Sequence, residues 1–104
     1  MNRNFALSAL QIISDKVQLC AENEARPEVV DILERASRDL VAAVQGDAYA
    51  KEGADTIVVS LRAGFLSSPP SLSSHRVDIL ENVKALYSYI SRRPDPTTGR
   101  VSLV

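Results

Sequence analysis

Very little in this chain can make or break a bond. Its 104 residues include one histidine (His75), one cysteine (Cys20) and no tryptophan. A nucleophile and its base could therefore only be Cys20, or one of the serines, working with His75. Cys20 falls on an apolar helix face, where a free cysteine behaves as a small hydrophobe. His75 falls in the first turn of a helix, where the dipole disfavours positive charge. Both read as structural, and the chain as non-enzymatic. Metal chemistry is served no better, since a site needs three or four ligands held close together. The acidic pairs at helical spacing, Asp31/Glu34 and Asp78/Glu81, lack the histidine that di-metal bundles place beside them. Glycines 46, 53, 64 and 99 are scattered, which leaves no glycine-rich phosphate loop. No cofactor is expected.

Other absences bound the surroundings. A lone cysteine closes no internal disulfide, so nothing requires an oxidising compartment. No apolar run approaches the ~20 residues of a membrane span. The first apolar stretch is broken by Ser8, Gln11, Ser14 and Asp15 and is too polar for a signal-peptide core. The expectation is a soluble, cytoplasmic protein with no membrane contact, folded as a single domain over residues 1–104. Formal net charge is −1, with residues 1–52 carrying six basic and nine acidic side chains and residues 53–104 six and four. Phosphate neutralisation needs clustered Lys and Arg, so nucleic acid is not expected as a partner.

What the chain has in quantity is apolar helix face. Asn4, Ser8, Gln11, Asp15, Gln18 and Glu22 repeat at spacings of four and three, which predicts a helix near 3–23 with one polar stripe. Its apolar positions cover an arc of roughly 200°, well beyond the ~100° needed to sit on a core. Such a helix serves two neighbours, and Phe5, Ile12 and Leu19, spaced seven apart, are candidates for contact with a second copy. Pro27 suits the first turn of a second helix near 27–45, with Gly46 as its stop. The third segment is ambiguous, because Thr56-Ile57-Val58-Val59 is β-branched and suits a strand. No other run alternates with period two, so a strand would lack a partner. We expect instead a short capped turn at Asp47–Glu52, a break at Gly53, and a helix near 54–66 with Asp55 as its N-cap. Gly53, Ile57, Ser60 and Gly64 share one face, small enough for another helix to approach closely. Pro69-Pro70 breaks the chain. Ser73 then caps a helix near 73–93, with Leu72 and Val77 at staple spacing. From Asp95 onward a mobile tail is expected.

The fold class expected is thus all-α, an antiparallel bundle of about four helices. Surplus apolar face with sparse chemistry points to recognition. The function expected is a small regulator that binds a protein, for instance a transcription factor, and covers that partner's association surface as an anti-activator does. A homodimer is expected with Phe5, Ile12 and Leu19 at its interface, and Phe65 and Leu66 are expected either to plug the bundle's end or to anchor a partner. Both close a helix just before the Ser-Pro break. The alternatives are a helical DNA-binding regulator, and a chaperone or immunity protein. The terminal Ser102-Leu103-Val104 matches the short pattern read by PDZ-type grooves, but three residues carry little weight against a frayed tail.

Overall fold

The computed structural model describes residues 1–19, 27–66 and 72–93, apart from the side chains of residues 65–66 and 72–74. Within them lie four helices: α1 (Arg3–Leu19), α2 (Pro27–Ala43), α3 (Ala48–Leu66) and α4 (Leu72–Ser91), with no strand among the described residues. Asn2 starts α1, accepting the Phe5 N–H on its side-chain oxygen at 3.1 Å and the Ala6 N–H on its carbonyl at 3.0 Å. The first bond satisfies one of the donors a helix start leaves orphaned, and the second is the first internal bond of the helix. Pro27 opens α2 and Glu28 lies in its first turn, as expected from the proline's preset φ and the dipole. Gly46 ends the following turn at φ +94°, a left-handed conformation that costs glycine nothing and other residues a steric penalty.

The third helix corrects the expected boundaries. It starts at Ala48, not near 54, and Asp47 is its cap. The Asp47 carboxylate accepts the Ala50 N–H at 3.0 Å, and its carbonyl accepts the Lys51 N–H at 2.9 Å. Asp55, expected to be the N-cap, is an exposed residue inside the helix. Gly53 fails to break it for a packing reason. A Cβ at Gly53 would stand 3.2 Å from Cδ1 of Leu86, so the missing side chain lets α4 come close. The ~0.5–1 kcal/mol that glycine costs inside a helix is offset by that contact. Thr56 spends its hydroxyl on the Glu52 carbonyl at 3.0 Å, and the β-branched run stays helical.

Each helix packs against two others: α1 on α2 and α4, α3 on α2 and α4. Arg3 reaches the Ser91 carbonyl at one end of the α1–α4 seam, and Arg76 reaches the Gln18 carbonyl at the other. The two helices are therefore antiparallel. Gly53 beside Leu86 and Gly64 beside His75 give the same sense for α3 and α4. The molecule is an antiparallel four-helix bundle around Leu10, Ile13, Leu33, Leu40, Ile57, Ile79 and Ile90, all fully buried. The expected residues 20–23 of the first helix and the tail from Asp95 lie outside the described residues, as does the side chain of Ser73. Of the expected Leu72–Val77 staple, the side chain of Leu72 lies outside those described and Val77 is exposed.

Candidate protein-binding surfaces

One end of the bundle gathers the N-termini of α1 and α3 and the C-termini of α2 and α4, and most of its polar chemistry is spent holding them together. The Asn2 N–H donates to the Ala43 carbonyl at 2.7 Å, tying α1 to the last residue of α2. Arg3 lays its guanidinium on the Ser91 carbonyl at 3.1 Å, a cation at the negative end of α4. Its Nε is buried without a hydrogen-bond partner. Asp47 is the centre of the cluster. Besides capping α3 it accepts the Tyr89 hydroxyl on both oxygens, at 3.2 and 3.1 Å, and faces Arg93 Nε at 3.5 Å. The Ala50 N–H, with help from the Tyr89 hydroxyl and Arg93, holds its carboxyl below the usual carboxylate range against the opposing cost of burial. Burial, and then donation to a carboxylate, push the Tyr89 hydroxyl upward. Tyr49 packs on Tyr89 with ring centroids 4.5 Å apart and planes tilted by 45°, and the Arg93 guanidinium lies 5.6 Å from the Tyr89 ring centre. An anionic acceptor held below its normal pKa and already shared by three donors is a clamp.

Two apolar surfaces are left over. The first runs along α1. Ala6, Ala9, Leu10, Ile13 and Val17 face the core, whereas Phe5, Ile12 and Leu19 are 45%, 42% and 78% exposed. Two neighbours, α2 and α4, cover the rest of the wide arc, and the line spaced by seven is what they leave open. The second is a groove of about 580 Å³ between α2 and α3, the least closely packed adjacent pair. Its floor includes Leu33 and Leu61 from the core with half-buried Val30, Val41 and Val58 above them, and Arg38 and Arg62 stand among its walls. Ser37, also in the floor, gives its hydroxyl to the Leu33 carbonyl at 2.7 Å. A second groove of about 450 Å³ lies between α1 and α4, with Tyr87 on its rim 38% exposed.

The remaining sequence candidates are quickly placed. Phe65 and Leu66 belong to the last turn of α3, and their side chains lie outside those described. Cys20 is likewise outside. His75 is half-buried, its side chain 3.6 Å from where a Cβ on Gly64 would stand. Asp31 pairs with Arg35 at 3.5 Å as its spacing suggests, but Glu34 and Arg38, equally four apart, form no ion pair. No group of three or more His, Cys, Asp or Glu could hold a metal among the described residues, and no helix among them is long and apolar enough to cross a membrane. The α2–α3 groove was not singled out from sequence, because it is formed by residues of two helices whose separation no local pattern encodes. No family model, curated protein or solved structure matches the chain.

Proposed function

We propose that this chain is a small, non-enzymatic regulator that works by binding protein, pairs with a second copy of itself through the outer stripe of α1, and acts by covering a partner's own association surface. The observation that carries this reading is the line Phe5, Ile12, Leu19, left exposed on a helix whose other large apolar side chains are buried or half-buried. Three large apolar side chains on one line are the kind of surface that association, not solvent, covers. A transcription factor kept from dimerising, as by an anti-activator, is the regulatory partner we favour.

The magnitude sets an upper limit on the pairing. The exposed fractions amount to about one and two-thirds side chains per copy. At roughly 1.5–3 kcal/mol for each full burial, two copies gain about 5–10 kcal/mol. Association costs on the order of 4–15 kcal/mol before any gain shows. At the most favourable ends of these ranges about 6 kcal/mol remains, so the stripe by itself supports at best a dimer with a dissociation constant of tens of micromolar, and flanking contacts are needed for anything tighter. Light scattering over a concentration series tests this. A dimer that forms between ~10 µM and ~1 mM and dissociates in Ile12→Asp is the expected result. A monomer throughout, or assembly unchanged by Ile12→Asp, overturns the self-association. Occlusion is tested separately: a captured partner must lose its own self-association in the presence of the wild-type chain.

A further inference from the structure

We infer that the groove between α2 and α3 is a docking site for an amphipathic helix of a partner protein, one that carries an apolar stripe flanked by acidic side chains. The inference rests on the reading of the chain as a protein-binding module and adds where the partner sits and what chemistry it presents.

Shape is the first argument. The groove is lined on α2 from Val30 to Ala42, a length of about 18 Å at the helical rise, a little over three turns of an α-helix, with Gln45 just beyond the helix end. Half-buried Val30, Val41 and Val58 line it above Leu33 and Leu61, the arrangement that takes anchors spaced i, i+3 or i+4, and i+7 from a second helix. The floor is poor in free donors, since the one hydroxyl in it, on Ser37, gives its proton to the Leu33 carbonyl. Charge is the second argument. Arg38 on α2 and Arg62 on α3 line the groove, both exposed and neither paired with a carboxylate, whereas Arg35 and Arg93 each have one. Glu34 is the single acid among the lining residues, so the wall is net positive by one. Guanidinium forks are matched to carboxylates, and an acidic flank on the incoming helix would meet them.

The test uses the full chain and two synthetic sixteen-residue helical peptides, blocked at both ends. They share one leucine stripe and differ only in flanking positions, all Glu in one and all Lys in the other. Amide resonances of the protein are followed during titration. The Glu peptide is expected to shift Val30, Val41, Val58 and Leu61 saturably, and the Lys peptide to bind at least tenfold more weakly. Exchanging both arginines for glutamate (Arg38→Glu with Arg62→Glu) alters exposed side chains only and should reverse that order. Four results overturn the proposal: no groove shifts at millimolar peptide, shifts confined to α1, equal affinity for the two peptides, or saturation of the same amides by decanoate at lower concentration, which would make the groove an acyl-chain site. These outcomes are separable from the dimer. Groove binding by a strictly monomeric chain leaves this inference standing and removes only the pairing through α1.

Discussion

Replacing Asp47 by alanine should cost the bundle about 1.5–3 kcal/mol, and replacing Asp55 by alanine almost nothing. The first figure is built from parts. Loss of an N-cap costs ~0.5–2 kcal/mol, and Asp47 caps α3 through the Ala50 N–H. The ion pair with half-exposed Arg93 adds at most about 1 kcal/mol. The Tyr89 hydroxyl also loses its acceptor, in the same direction. Asp55 is exposed with no ion pair or side-chain hydrogen bond, so its removal should stay within about 0.5 kcal/mol. Thermal unfolding followed by circular dichroism at 222 nm reads both, at roughly 4–8 °C per kcal/mol for a chain of this size. Asn at position 47 can still accept the Ala50 N–H, so Asp47→Asn should fall between wild type and Asp47→Ala. The pH dependence has a definite sign. The folded pKa of Asp47 is depressed below its ordinary 3.8. Its contribution is therefore fully present above about pH 5 and is lost as pH falls through the folded value. Asp47→Asn should flatten the acid limb of the stability curve and leave the slope above pH 5 unchanged. Equal losses from Asp47→Ala and Asp55→Ala, or a larger loss from Asp55→Ala, would refute the start of α3 at Ala48 and the clamp with it.

Other substitutions test the packing. Gly64→Ala should stabilise by about 0.5–1 kcal/mol, because a new Cβ meets His75 at an ordinary 3.6 Å while the helix gains a better former. Gly53→Ala should not show that gain, since its Cβ meets buried Leu86 at 3.2 Å, and Gly53→Val should cost about 1–3 kcal/mol; denaturant midpoints at constant slope decide both. Ile57→Ala should cost about 2–5 kcal/mol in the same assay, as a fully buried side chain facing the core, and a loss under 1 kcal/mol would place Ile57 outside it. Gly46→Ala, at φ +94°, should destabilise by about 1 kcal/mol or more, with a neutral result arguing against the left-handed turn.

Periodicity and local signals were enough for the number of helices, the wide apolar side of α1, the proline start of α2 and the glycine stop after it. These are local properties: a 3.6-residue repeat, a fixed φ and a missing Cβ act within one or two turns, whatever lies elsewhere. The wide apolar arc of α1 even announced two neighbours, and α2 and α4 are those neighbours. Reading the start of α3 was different. Gly53 in a helix is unfavourable by itself, and only the approach of Leu86, thirty-three residues on, gives its bare backbone a purpose. Asp47 and Asp55 look equally good as caps from sequence. The choice between them belongs to Tyr89 and Arg93, which arrive at Asp47 from the far end of α4. The same holds for the surfaces. Phe5, Ile12 and Leu19 could be named from their spacing, but nothing in the spacing of Val30, Val41 and Val58 marks a groove between α2 and α3. A sequence fixes which side of each helix is apolar. How closely two apolar sides meet is set by the whole bundle, since a residue's burial depends on the distance to a neighbouring helix that its own turn does not encode.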